Sequence, residues 1–213
     1  MTDDDLVFYT NPYSRARVVR WMLEEVGQPY RAVVLPYGPP MKTPEYLAIN
    51  PMGKVPALVH RGMVVTETPA ICAYLADAFP QAGLAPAADS PLRGPYFRWM
   101  FFAAGPMEQS ISNRSLDLIP PEDKARMVGY GPPGAMERAV ATAVVPGPYI
   151  LGEQFSAADV LVGSYVGWAA QAGLMDSTPE LDAYAARVEQ RPAAVRAREI
   201  DDALHAEMSK ETT

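Results

Sequence analysis

Cysteine is almost missing from this chain of 213 residues: Cys72 stands alone, which excludes an internal disulfide framework and any CxxC redox pair. Histidine is nearly as scarce. His60 and His205 are the two present, so a metal centre built from several histidines is not expected. Cationic side chains are outnumbered, 18 Lys and Arg against 25 Asp and Glu, and the formal net charge is −7. Phosphate backbones are held by clustered Lys and Arg, so nucleic acid is not an expected partner. No apolar stretch reaches the roughly 20 residues that span a bilayer, so no membrane association is expected. The opening MTDDDLVFYT lacks a cationic stretch, a secretory leader is therefore not expected, and a cytoplasmic protein is the default reading.

Apolar residues are plentiful. They make up 49% of the chain against 20% charged, which indicates folded structure, and the length allows one large or two modest domains. Leu6-Val7-Phe8-Tyr9 reads as a buried strand, and Thr10 to Ser14 as a turn with Ser14 placed to cap a helix. Val18, Val19, Met22, Leu23 and Val26 recur at helical spacing, and Gly27 supplies the stop. A second strand is expected over 30–35. A loop over 36–42 leads to a short helix capped by Thr43 with Pro44 at its first position.

The densest signal is Asn50 to Thr68, NPMGKVPALVHRGMVVTET. Ala57-Leu58-Val59 and Met63-Val64-Val65 flank a Gly-containing turn, so they read as a β-hairpin. Pro56 has no N–H for a ladder, and at a strand entrance it indicates a rigid turn compatible with a cis Val55–Pro56 bond. Val55 beside it is left to offer its backbone N–H and C=O to an extended ligand. Thr68 is expected as the N-cap and Pro69 as the first residue of a helix running to Phe79, ended by Pro80. A helix start favours a carboxylate, and Glu67 could hold an ammonium group. The implied ligand is a small peptide-like molecule carrying both.

On Asn50-Pro51-x-Gly53-Lys54-Val55-Pro56-Ala57-Leu58 and the Glu67-Thr68 pair that opens the next helix, the chain resembles the glutathione transferase family. Thr68 keeps the hydroxyl that most members supply with Ser. The resemblance implies an α/β thioredoxin-like N-terminal domain over 1–80, a linker over 81–89 (QAGLAPAAD), and an all-α C-terminal domain over 90–213. The order β-α-β-α-β-β-α fits the first domain, with a parallel pair and an antiparallel hairpin. The implied activity is that of a glutathione S-transferase in detoxification, with glutathione as substrate, no metal, a small hydrophobic electrophile as second substrate, and a homodimer. Glutathione-dependent peroxide or disulfide reduction, and a non-catalytic glutathione-binding or regulatory member, are the alternatives.

The resemblance also implies site residues. Val55, Pro56, Glu67 and Thr68 would bind glutathione, with Lys42 and Lys54 as basic neighbours. The thiol would be activated from the first strand-to-helix turn. Aligned on Trp21 to Glu25, the tyrosine-type position falls on Tyr9, the serine-type within one residue of Ser14, and the cysteine-type on Arg15, which excludes a cysteine mechanism. Ser14 is favoured, with Tyr9, Tyr13 and Asn11 as alternatives. A free thiol has a pKa of about 8.5, and lowering it by two units takes about 2.7 kcal/mol. A partly buried helix start contributes up to about 2 kcal/mol. A charge-assisted hydrogen bond adds about 1.5–3 kcal/mol. Together these suffice. Arg15 and Arg17 could steer an anion, Cys72 reads as a small buried residue, and Met107, Ser110, Arg114 and Trp168 are the implied contacts of the electrophile.

Beyond the linker the strand signals vanish. Ser90-Pro91 starts a helix that Gly105-Pro106 should kink or interrupt before 107–114. The segments 121–128 and 133–144 read as one helical arm broken at Gly129-Tyr130-Gly131. Ser156 and Asp159 form a capping box, flanked by Phe155 and Val160 as a hydrophobic staple, for a central helix reaching Trp168. Helices over 179–190 and 192–208 complete the expectation.

Overall fold

The computed structural model describes residues 6–211; the acidic opening MTDDD, on which the leader expectation partly rests, lies outside them. The chain divides into two compact units, residues 1–82 together with 192–213, and residues 83–191.

In the first unit, strands β1 (Leu6–Thr10), β2 (Arg31–Val34), β3 (Ala57–His60) and β4 (Met63–Thr66) form one sheet in the order β2-β1-β3-β4. β1 and β2 are parallel, while β1 with β3 and β3 with β4 are antiparallel. This is the thioredoxin-like arrangement expected. Helix α1 (Ala16–Val26) buries Val18, Val19, Met22, Leu23 and Val26, the stripe read from the sequence, and Gly27 ends it at φ 71° with its N–H on the Leu23 carbonyl. Helix α2 (Pro44–Leu47) is capped by Thr43, whose Oγ1 accepts from the Tyr46 N–H. Helix α3 (Thr68–Ala78) buries Ile71, Cys72 and Leu75. Phe8, Val19, Met22, Leu58, Ile71 and Leu75 make a dry core in which each large side chain contributes about 1.5–3 kcal/mol.

The last helix, α9 (Pro192–Glu211), groups with this unit, whereas the contiguous division at 81–89 would leave it with the helical part. Its partner is α1. Asp201 meets Arg20, Asp202 meets Arg17 and Arg196 meets Glu24. Ion pairs 172 or more residues apart carry no local sequence signal.

The second unit is built from helices, α4 (Arg93–Phe102), α5 (Glu108–Ser115), α6 (Ala135–Val144), α7 (Ala157–Gln171) and α8 (Pro179–Glu189), with an isolated bridge between Tyr149 and Gly152. Gly105-Pro106 interrupts the first helix as expected, and the break takes the form of a wide π turn, Ala103–Met107, that accommodates the missing N–H. The arm expected over 121–128 is a 3₁₀ segment, Glu122–Met127, rather than an α-helix. Only Ala125 of it is buried, so no apolar face holds a longer helix there. At the start of α7 the capping box forms. Asp159 Oδ2 accepts from the Ser156 N–H at 2.9 Å, and Asp159 Oδ1 accepts from the Ile150 N–H at 2.7 Å and the Tyr184 hydroxyl at 2.9 Å. Burial pushes the Asp159 carboxyl up to about 6 against the pull of these donors.

Candidate functional site

Strand register decides which residues share one end of the sheet. Ala57 stands opposite Tyr9 on one side and Thr66 on the other. The C-terminal end of β1, the entry to β3 and the exit of β4 therefore lie side by side. That end gathers Tyr9 to Ser14, Val55-Pro56 and Glu67-Thr68, and the N-termini of α1 and α3 both start from it. Two helix starts make it favourable for negative charge.

The Val55–Pro56 peptide bond is cis. Among the described residues no protein group hydrogen-bonds the Val55 backbone, which is the condition for an extended ligand to take its place. The preceding turn is tightly held. Asn50 accepts the Gly53 N–H on its carbonyl at 2.7 Å and the Met52 N–H on Oδ1 at 3.1 Å. Gly53 has φ 57°, and a Cβ there would come within 2.6 Å of Lys42 Nζ and of the Met41 carbonyl. Only glycine fits.

Lys42 serves this turn directly. Its ammonium donates to the carbonyls of Met52 at 3.0 Å and Gly53 at 3.1 Å, leaving one of its three N–H groups for a ligand. Lys54 is exposed and its side chain points to no partner among the described residues. The carbonyl of Lys54, by contrast, receives the Tyr46 hydroxyl and the Asn50 amide, each at 2.7 Å. Sequence reading assigned no role to Tyr46 and used Asn50 only as part of a motif. The Asn-Pro turn was the signal available; nothing local marked Tyr46.

Glu67 rather than Thr68 occupies the N-cap of α3, with φ 70° and ψ 121°, and its side chain makes no capping bond. Thr68 is the first helical residue and Pro69 follows it, one position later than expected. A non-glycine residue in that conformation costs on the order of 1–3 kcal/mol, which points to a functional constraint. Glu67 is exposed while Thr68 is buried, so the carboxylate reaches water and the hydroxyl does not stand out from the surface.

The four candidate activators of a thiol differ in what already occupies them. Ser14 donates its hydroxyl to the Asn11 carbonyl at 2.8 Å and accepts the Ala16 N–H at 3.1 Å, so it supports the start of α1 from one residue outside the cap, Arg15. Asn11 is fully buried; its Nδ2 donates to the Leu35 carbonyl at 2.8 Å and its Oδ1 accepts the Tyr13 N–H at 2.9 Å. Tyr13 turns outward to α9, its hydroxyl 2.9 Å from Ser209 Oγ and its ring 4.4 Å from that of His205. Tyr9 is half-buried with its ring 5.5 Å from that of Tyr46. Arg17 is engaged by the Pro12 carbonyl and Asp202. Cys72 is wholly buried, and desolvation pushes its thiol far up, so it stays a protonated core residue.

In the second unit Met107 is fully enclosed and Ser110 nearly so. Arg114 pairs with Glu137 at 2.9 Å and Asp176 at 3.4 Å, tying α5 to α6 and to the segment before α8. Trp168 is 44% exposed on α7. Two of these four candidate electrophile contacts are therefore out of reach of solvent. Among the described residues no group of three or more His, Cys, Asp and Glu could hold a metal ion, and no helix is long and apolar enough to cross a membrane.

Comparison with known proteins points the same way. The profile of the glutathione S-transferase N-terminal domain matches residues 13–78. The glutathione S-transferase GstA of Escherichia coli O157:H7 is 29% identical over 168 residues, spanning 76% of this chain and 78% of that protein. Among solved structures, a ternary complex of BphK, a bacterial glutathione transferase, superposes with a TM-score of 0.75 at 27% identity, covering 92% of this chain and 99% of that one. The theta-class enzyme of Xanthomonas axonopodis pv. citri, solved with glutathione bound, gives a TM-score of 0.73 at 26% identity, covering 91% and 97%.

Proposed function

The chain belongs to the glutathione transferase family, and on that premise we propose that it binds glutathione, holds it as the thiolate and conjugates it to a small apolar electrophile. One observation carries the reading. The unbonded Val55 backbone beside cis Pro56 lies at the same sheet end as Glu67-Thr68 at the start of α3. An extended tripeptide would take the Val55 N–H and C=O as a strand does. Its γ-glutamyl carboxylate would lie on the α3 start at Thr68, and its ammonium would face Glu67. The cysteinyl sulfur would then reach the turn Asn11–Ser14. The remaining N–H of Lys42, or the exposed Lys54, would take the second carboxylate.

For the thiolate, Ser14 is the favoured donor, with Tyr9, Tyr13 and Asn11 as alternatives. Ser14 must swing its proton from the Asn11 carbonyl to the sulfur, while the α1 start stabilises the charge. The thiolate then attacks the electrophilic carbon; the new C–S bond forms as the leaving group departs with its electron pair. The second-substrate contacts that the family resemblance implies are Met107, Ser110, Arg114 and Trp168, of which Arg114 and Trp168 are the two that reach solvent. A cytoplasmic homodimer acting in detoxification completes the proposal.

The existing Ser14–Asn11 bond favours a second reading, a glutathione-binding protein without turnover. Peroxide or disulfide reduction would use the same thiolate. Retention on immobilised glutathione, followed by assay with an activated aryl halide, an organic hydroperoxide and a mixed disulfide, separates these. Retention with no turnover supports the binding protein. Failure to be retained, with no heat at millimolar glutathione, overturns both.

A further inference from the structure

We propose that Tyr46 and Asn50 are positioning residues for the tripeptide: together they fix the Lys54–Val55 peptide so that the Val55 N–H is aimed at the ligand. The inference rests on the glutathione-binding reading above and deepens it.

The Lys54 carbonyl takes the Tyr46 hydroxyl and the Asn50 Nδ2, both at 2.7 Å. A carbonyl oxygen has two lone-pair directions, and both are filled. The peptide is planar, and the cis bond of this turn is the next one, Val55–Pro56. In the trans Lys54–Val55 peptide the Val55 N–H therefore points away from the Lys54 oxygen. Pulling the oxygen inward from two sides turns the N–H outward and holds it there. No protein acceptor meets it among the described residues.

Both donors are themselves anchored. Asn50 is buried, with its carbonyl on the Gly53 N–H and its Oδ1 on the Met52 N–H. Tyr46 is buried, its backbone N–H held by Thr43 and its ring against Tyr9. Burial, with Tyr9 beside it, pushes the Tyr46 phenol up to about 12, so it remains a donor throughout the working pH range. Lys42 secures the two carbonyls before this one. Three successive carbonyls, at 52, 53 and 54, are thus fixed by side chains. A donor whose direction is set before binding loses less freedom when the ligand arrives.

The test is Tyr46→Phe in the full chain, which keeps the ring and removes one donor. Calorimetry with glutathione is expected to show about tenfold weaker binding, with kcat at saturating glutathione within about twofold and the thermal midpoint within a few degrees. Unchanged affinity, whether or not the midpoint falls, overturns the inference and leaves the glutathione reading intact. If Tyr46→Phe does not fold, Asn50→Asp is read the same way: it keeps the Oδ1 acceptor for Met52 and puts a carboxylate oxygen, which repels the Lys54 carbonyl, in place of the Nδ2 donor. In the unaltered protein the Val55 amide resonance is expected to move on titration with glutathione. A wild-type chain that binds glutathione without moving it overturns the inference, and one that binds no glutathione overturns the functional reading with it.

Discussion

Arg20 on α1 and Asp201 on α9 meet at 2.6 Å, with their side chains 2% and 1% exposed. The guanidinium also lies 5.3 Å from the ring centre of Phe8 and donates to the Tyr30 hydroxyl at 3.1 Å. One ion pair thereby joins the last helix of the chain to the core beneath its first strand. The match is incomplete, for Arg20 Nη2 and Asp201 Oδ2 are buried without partners.

Breaking this pair should destabilise the first unit strongly. Asp201→Ala strands a buried guanidinium and should cost about 3–5 kcal/mol, read as a fall in the urea or thermal midpoint. Because the pair is imperfectly satisfied, the double change Arg20→Met with Asp201→Leu should recover most of that loss. A single variant as stable as wild type would show that the pair is not formed.

Ser14→Ala should lower the conjugation rate about 10²-fold while leaving glutathione affinity within a few-fold. Thiolate absorbance of the bound tripeptide, followed against pH, should move to a higher midpoint in the variant. Unchanged turnover would transfer the role to Tyr9, Tyr13 or Asn11.

Glu67 is held at φ 70°, so its replacements should not follow ordinary preference. Glu67→Ala and Glu67→Gly should both weaken glutathione binding by about tenfold or more through loss of the charge. The glycine variant should nevertheless be the more stable of the two by about 1 kcal/mol, because glycine adopts that conformation without strain. Equal midpoints, or a more stable alanine variant, would contradict the strain.

The Asp159 carboxyl sits at about 6 in the folded chain, above its ordinary value, with burial as the leading cause. A carboxyl raised on folding takes up protons between its unfolded and folded values. Its contribution is therefore complete below about pH 4 and is lost as pH rises through 6, by an amount on the order of 3 kcal/mol. Asp159→Asn cannot titrate. The advantage of wild type over this variant should shrink between pH 4 and 7, and an advantage that grows over that range would contradict the assignment.

Several features were legible because their causes lie within a few residues. The α1 stripe ended by Gly27, the Val55–Pro56 entrance to a hairpin, the Thr43 cap and the Ser156–Asp159 box are each built from neighbours in the chain. Others misled for the same reason. Ser14 was expected to cap α1 but stands one residue before the cap, Arg15, with its hydroxyl on the Asn11 carbonyl, and Pro121 to Val128 had helical composition but too little buried face to stay α-helical. The sequence by itself determined most of the strands and helices and the backbone positions that must bend, since local sterics and apolar spacing act through adjacent residues. Only the tertiary structure decided that Asp201 would neutralise Arg20, that Tyr13 would turn to Ser209, and that Tyr46 would grip the Lys54 carbonyl. Those partners are chosen by how elements pack, and burial then makes each unpaired charge or donor costly enough to fix the choice.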